Sequence, residues 1–231
     1  MWLLIAALGL YIWTVLRKPS LSASWRKVFA DAPALASSVI LLLCLVITLL
    51  DSVHYRAQLP PAAGAAAGSV AYDTRTRSLL DALLKSLSES RETTYSRPLA
   101  YASFTKESIE VDGRLTRSAP RLLHGGAHLT RPADQWAGDI ALRVLLGLVL
   151  GLVAATSVAA VNVAWVARSH RVGRREAALR IWHGETAIPW RAALFTVLGL
   201  SLVGGAIVAL MGAYHVFGTD VTGNDVLYQT L

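Results

Sequence analysis

The chain has 231 residues and a formal net charge of +7, and 54% of its residues are hydrophobic whereas only 16% are charged, with a mean hydropathy of +0.47. Because soluble domains carry about 25% charged residues, this composition argues against an ordinary soluble protein, and it also excludes extensive disorder. The single cysteine, Cys44, excludes an intramolecular disulfide framework.

Four apolar segments predict transmembrane helices. A helix needs roughly 20 apolar residues to cross about 30 Å of hydrocarbon, and because lipid offers the backbone no hydrogen-bond partners, each segment should be helical. The two later segments meet this length, and the two earlier ones are short but sufficient with interfacial flanks. The segments are residues 1–16, 34–50, 141–166 and 192–216.

The first apolar segment is also compatible with a secretory signal peptide. Signal peptides place basic residues before the apolar run and a small-residue cleavage site after it. Here the basic residues Arg17 and Lys18 follow the run, and no Ala-x-Ala-like site is present. We therefore expect the segment to be retained as a transmembrane helix.

The basic residues predict the orientation in the membrane. Residues 17–33 carry a net charge of +3 and residues 167–191 carry +4, whereas the long segment 51–139 is nearly neutral. Short loops rich in Lys and Arg remain in the cytoplasm, and long loops are translocated largely regardless of charge. The two basic loops should therefore lie inside, and both termini and residues 51–139 outside. Basic residues divided in this way also argue against nucleic-acid binding.

The expected fold class is an all-α membrane protein with about four transmembrane helices and an α-rich extracytoplasmic domain between the second and third. Residues 1–50 form two helices with a basic inner loop, and residues 51–139 form the extracytoplasmic domain. Residues 140–216 form two more helices around the basic inner loop 167–191, and residues 217–231 form an outer tail.

The outer segment is expected to begin with a flexible linker, residues 59–69, which is rich in Pro, Ala and Gly. An amphipathic helix is predicted over residues 76–90, with Asp73 or Thr74 as its cap and an Asp81–Lys85 pair on its polar side. Its apolar stripe packs on the rest of a small domain, as such stripes usually do, or forms a docking face for a partner subunit. The stripe consists of Leu79, Leu80, Leu83, Leu84 and Leu87.

Candidate sites in the outer segment are few. His124 and His128 have a spacing that would suit zinc on a helix, but the adjacent glycines Gly125 and Gly126 favour a turn. Residues 111–114 also predict a turn. No catalytic triad or carboxylate pair is apparent, so we expect no enzymatic activity, metal or cofactor. Arg143 is expected to extend to the outer headgroups.

Small residues recur every four positions on the third and fourth apolar segments. This spacing lets membrane helices approach closely, either between subunits or within one chain. The residues are Gly147, Gly151, Ala155 and Ala159 on the third segment, and Ser201, Gly205, Ala209 and Ala213 on the fourth. Asn162, near the inner end of the third segment, is too peripheral to suggest an ion site.

The C-terminal tail carries the most specific motif. Its sequence resembles the Gly-Thr-Asp-x-x-Gly-Arg-Asp-x-Leu signature of bacterial oligopeptide and dipeptide ABC transporter permeases, with an asparagine in place of the arginine. The matching residues are Gly218, Thr219, Asp220, Gly223, Asn224 and Asp225. Residues 92–98 and 120–129 are similar to parts of an extended subgroup that has a large periplasmic insertion.

The resemblance implies a permease subunit of a peptide importer in the bacterial inner membrane. Its partners would be membrane lipid, a sister permease, two ATPase subunits and an extracytoplasmic solute-binding protein. The chain itself has no phosphate-binding loop for ATP. Because the family's signature leads into its core permease helices, we expect this chain to be the N-terminal fragment of a longer subunit or a truncated product.

Two further patterns bear on this expectation. Residues 176–178, Glu-Ala-Ala, are similar to the loop by which permeases contact their ATPases, but the family's glycine is replaced by Trp182 and the motif precedes the signature. Residues 173–183 are therefore predicted to form a basic interfacial helix. The rival interpretation of the whole chain is a membrane sensor or assembly factor, although the inner loops are too short for an output domain.

Overall fold

The computed structural model describes residues 2–59, 71–111 and 114–231. By internal contacts the chain divides into two compact units: Met1–Val46 with Val149–Val203, and Ile47–Leu148 with Gly204–Leu231. Except for Leu59, the predicted linker lies outside the described residues.

The structure is mostly helical. The helices are α1 (Trp2–Arg17), α2 (Pro19–Phe29), α3 (Ala32–Ser52), α4 (Leu79–Leu83), α5 (Lys85–Glu89), α6 (Pro132–His170), α7 (Arg174–His183), α8 (Trp190–Met211) and α9 (Val226–Thr230). The strands are β1 (His54–Leu59), β2 (Ala71–Ser78), β3 (Glu107–Val111) and β4 (Arg114–Ser118).

Three of the described helices, α3, α6 and α8, are long and apolar enough to cross a membrane, which indicates a membrane protein. The first apolar segment is also helical, but α1 has only 16 residues and falls short of that length. Large apolar side chains on these helices are exposed, for example Leu41 and Leu145, as expected for a surface that contacts lipid. Helix α8 ends at Met211, so the predicted fourth segment extends five residues too far.

Helices α6 and α8 approach each other closely at small residues. In the first unit, a Cβ atom added to Gly151 would overlap the carbonyl oxygen of Ser201. In the second unit, a Cβ atom added to Gly147 would overlap the carbonyl oxygen of Gly205. These glycines therefore contact the neighbouring helix within the same chain.

Helix α7 forms where the sequence predicts a basic interfacial helix. Gly173 precedes it in an extended conformation, and Gly184 ends it in the left-handed conformation that favours glycine. Arg180 donates to Glu176 one turn earlier, at 2.7 Å. Within the first unit, the helix buries Ala177 and Ile181 against Val166 and Ala167.

In its described residues the segment between α3 and α6 has more strand than helix, so the expectation of an α-rich domain is wrong there. Strands β1 and β2 form one antiparallel hairpin, and β3 and β4 form another with Val111 paired to Arg114. Threonine and tyrosine residues in β2 favour extended backbone, a preference that helical periodicity does not reveal. The tip of the second hairpin, where a turn is predicted, lies outside the described residues.

The predicted amphipathic helix over residues 76–90 is also wrong in its start and continuity. Ser78 rather than Asp73 or Thr74 caps α4, because its hydroxyl accepts from the Asp81 N–H while the Asp81 carboxylate accepts from the Ser78 N–H. The chain leaves the helical conformation at Leu84, and α5 follows.

The side chains of this segment also differ from the expectation. The Asp81–Lys85 pair is absent, since Lys85 lies 3.8 Å from Glu89 and Asp81 accepts from Ser78 and from the Tyr228 hydroxyl. Leu87 is 2% exposed but Leu83 is 63% exposed. The stripe is therefore not a continuous core, and Leu87 is its one buried member.

The close approach of α6 and α8 generates a stability prediction. Gly151→Ala should destabilise the protein by about 1–3 kcal/mol, because the new methyl group forces the two helices apart. Gly199→Ala in α8 is the matched control, since nothing lies within 4 Å of its added Cβ. Thermal unfolding in detergent measures both variants, and an equal effect of the two would contradict the packing described here.

Candidate functional site

The tail that follows α8 folds back onto the second unit through two glycines. Gly218 and Gly223 have positive φ angles, +78° and +82°. A Cβ atom on Gly218 would overlap the Ser96 carbonyl oxygen, and one on Gly223 would overlap that of Glu92. Both positions therefore require glycine for its conformation and for its lack of a side chain.

Thr219 fixes the tail between these glycines. Its side chain is fully buried, and its hydroxyl donates to the carbonyl oxygen of Thr94 at 2.9 Å. The Thr219 hydroxyl oxygen also lies 3.0 Å from the buried hydroxyl oxygen of Ser96. In addition, the Thr219 N–H donates to the Ser96 carbonyl. The threonine thus joins the tail to the segment that follows α5.

Asp220 organises the turn inside the motif. Its carboxylate accepts from the hydroxyl and N–H of Thr222, from the N–H of Asn224 and from the side chain of Gln229. These hydrogen bonds, led by the one from Thr222, hold the Asp220 pKa well below its usual range. Asn224 donates to the Thr222 hydroxyl at 2.7 Å, so it has a local role in this turn.

Asp225 begins the last described helix. Its Oδ1 accepts from the N–H groups of Leu227 and Tyr228 at 2.8 and 3.2 Å, which caps α9. Its Oδ2 accepts from His215 Nδ1 at 2.6 Å. Tyr228 in turn donates to Asp81 at 2.6 Å, and this hydrogen bond raises the pKa of Tyr228 to about 12.

Glu92 is a second buried carboxylate. It accepts from three consecutive backbone N–H groups, those of Leu123, His124 and Gly125, at 2.7 to 3.0 Å. Its Oε1 also lies 3.2 Å from His215 Nε2. Its own N–H donates to the Gly223 carbonyl at 2.8 Å. Glu92 therefore connects the loop 123–125 to the tail.

His215 lies between the two carboxylates and contacts each through one ring nitrogen. A neutral imidazole can donate from only one nitrogen, so two carboxylate acceptors favour the doubly protonated, charged ring. All three residues are buried, and we call them the triad: Glu92, His215 and Asp225 are 5%, 2% and 2% exposed. Both ring nitrogens face carboxylates, so the ring links Glu92 to Asp225.

The pKa values of Glu92 and His215 shift in opposite directions. Burial opposes the charge on Glu92, but the backbone N–H groups of His124, Leu123 and Gly125 outweigh it and lower the pKa. Burial also opposes the charge on His215, but the hydrogen bonds to Asp225 and Glu92 outweigh it and raise the pKa. Both shifts favour the charged forms of Glu92 and His215.

A second polar cluster lies nearby in the same unit. Asp139 of α6 accepts from the Tyr214 hydroxyl, from Arg143 Nε and from His128 Nε2, at 2.8 to 2.9 Å. Arg143 is thus paired with a carboxylate, and its extension to the outer headgroups stays a prediction.

The other candidate residues are placed as follows. His124 and Gly125 lie in a turn, as predicted, and the His124 side chain is exposed. Within residues 2–59, 71–111 and 114–231, no group of three His, Cys, Asp or Glu side chains could hold a metal ion. On the small-residue stripe, Ala155 and Ala213 are buried.

No protein-family model matches this chain, no curated protein is detectably similar to it, and no solved structure matches its fold.

Sequence reasoning missed two members of the triad. Glu92 was one acidic residue among many, and its three donors lie more than 30 residues away in the sequence. His215 fell inside the predicted fourth transmembrane segment. An ionisable side chain in an apolar run usually has a partner and a function, and that signal could have identified it.

The triad generates a pH prediction. The raised pKa of His215 stabilises the fold below about pH 6.5, and this contribution is lost as the pH rises through the folded-state value. The lowered pKa of Glu92 stabilises the fold above about pH 4.5, and this contribution is lost as the pH falls. We therefore expect this unit to be most stable between these two values and to weaken at alkaline pH.

His215→Gln should cost about 3–5 kcal/mol near neutral pH, because two buried carboxylates lose their counterion. In that variant the alkaline decline should disappear, and stability should instead rise toward acidic pH as a carboxylate takes up a proton. His124→Gln is the control, since it leaves the backbone donor to Glu92 intact. Limited proteolysis of residues 71–131 over a pH series measures all three proteins, and identical profiles would contradict the assignment.

Proposed function

We propose that this chain is a membrane-spanning permease subunit of an ABC importer for peptides or similar solutes, located in the bacterial inner membrane. The proposal rests on the resemblance of the tail to the permease signature and on the geometry of that tail. The three long apolar helices are compatible with a membrane protein. The finer topology also belongs to the proposal, with α1 as a fourth span and residues 51–139 outside.

One observation supports the proposal most strongly: each distinctive residue of the motif meets a separate physical requirement. Gly218 and Gly223 approach backbone atoms that any side chain would overlap. Thr219 is fully buried, and Asp220 and Asp225 accept hydrogen bonds from backbone N–H groups. If the match to the signature were accidental, the matched residues would not all be expected to make specific contacts.

The position of the motif relative to the neighbouring helices is a second argument. The motif follows α8 and ends at Asp225, which caps the helix that begins at Val226. A segment of this kind fixes where the next helix starts. In a permease it would set the outer end of the helices that line the transport path.

In this proposal the chain contributes helices and an outer domain but no catalysis. A sister permease would complete the path, two ATPase subunits would supply the energy, and an extracytoplasmic solute-binding protein would deliver the solute. Such transport requires conformations with different contacts to the solute and the nucleotide.

Peptide uptake by cells tests the proposal. In the native host, with other peptide permease genes removed, deletion of this gene should abolish uptake of a labelled tripeptide, and the complete native gene should restore it. Thr219→Val should lower uptake by about tenfold or more, as expected when a buried hydrogen-bond network worth above 1.4 kcal/mol is lost. Thr230→Val, at an exposed position in α9, should have little effect.

Affinity purification of the tagged native product should also recover an ATPase. Unchanged uptake after deletion, together with recovery of a kinase or regulator instead of an ATPase, would overturn the proposal and favour the sensor or assembly-factor interpretation.

A further inference from the structure

Two apolar cavities flank α2 in the first unit. The first, of about 460 Å³, lies between α1 and α2. Its walls include Tyr11 and Val15 of α1 together with Trp25 of α2, whose indole N–H lies 3.4 Å from the Tyr11 hydroxyl. This contact holds the two helices together at one side of the cavity.

The second cavity, of about 560 Å³, lies between the end of α2, the start of α3 and the approach to α8. Leu35, Ile188 and Trp190 contribute its apolar walls. Two of the described lining residues, Arg26 and Phe29, line both cavities. The Phe29 ring stacks on Trp25 with a centroid separation of 5.7 Å, so the divider between the cavities is aromatic.

Arg26 is the one charged residue among the described residues lining either cavity. In the part of the chain that the structure describes, its guanidinium has no carboxylate within ion-pair distance and no side-chain hydrogen bond. The surrounding residues 17–33 carry a net charge of +3. A cation between two apolar cavities therefore has no partner among the described residues.

We propose that this place binds one anionic diacyl phospholipid, with its phosphate at Arg26 and its two acyl chains in the two cavities. A phospholipid combines the required features in one molecule, because it has one anionic headgroup and two apolar acyl chains that can extend from the headgroup in different directions. Arg is well suited to phosphate because its planar guanidinium can donate two parallel hydrogen bonds. Tryptophan at the level of the headgroups is typical of membrane interfaces.

Other occupants fit less well. A free phosphate would leave both apolar cavities without a ligand, and an apolar helix from a second copy would leave Arg26 without an anion. General attraction of a basic surface to anionic lipid is a third alternative. That attraction would depend on every exposed cation of α2 alike, whereas the proposed site depends on Arg26.

Lipid binding to the full chain in neutral detergent, measured by native mass spectrometry, tests the proposal. Phosphatidylglycerol should bind in preference to phosphatidylcholine, and Arg26→Gln should reduce that preference about fivefold or more, the effect of losing one lipid-contacting cation. Lys27→Gln is the matched control, because Lys27 is the adjacent cation of α2 and lines neither cavity. It should reduce the preference by less than twofold, and glycerol phosphate should not compete.

A second variant tests the two-cavity geometry. Val15→Trp fills the first cavity, so it should weaken binding of two-chain phosphatidylglycerol and leave binding of the one-chain lyso form unchanged. Equal losses in the Arg26 and Lys27 variants would show diffuse attraction and overturn the site. Competition by glycerol phosphate, or absence of any preference for the anionic lipid, would overturn it as well.

Discussion

The hydrogen bonds of one buried imidazole hold together the unit formed by residues 47–148 and 204–231. His215 contacts a carboxylate at each ring nitrogen, and each carboxylate also accepts from backbone N–H groups of a different segment. Three such groups face Glu92 and two face Asp225. Two buried negative charges are thus compensated by one imidazolium and five backbone dipoles, and a buried network of this kind is stable only while every member keeps its partners.

This constraint explains why the tail needs its particular residues. The Glu92 N–H donates to the Gly223 carbonyl, and the Thr219 N–H donates to the Ser96 carbonyl. These hydrogen bonds require the tail backbone to approach the backbone of residues 92–98 more closely than side chains at positions 218 and 223 would allow. Glycine at positions 218 and 223 permits that approach. The motif that resembles a permease signature is therefore, in this structure, a device that attaches the segment after α8 to residues 92–98.

The apolar segments could be predicted because composition alone determines them. A run of about 20 apolar residues in lipid has no alternative to the helix, and α7 could be predicted from its basic, amphipathic composition. The two hairpins escaped prediction because their stability comes from pairing between strands rather than from local periodicity. The triad escaped because Glu92 and His215 are 123 residues apart in the sequence, and a single sequence carries no record of such a contact.

Amide hydrogen exchange in a Glu92→Gln variant tests the central claim most directly. Among the described residues no hydrogen bond joins Glu92 to α9, yet the network predicts that weakening its bond to His215 also weakens the Asp225 cap. Exchange should therefore accelerate at the Leu227 and Tyr228 N–H groups as well as at Leu123, His124 and Gly125. The exposed neighbour Glu89→Gln should change neither set. Acceleration confined to residues 123–125, with Leu227 and Tyr228 as protected as before, would show that His215 does not couple the two carboxylates.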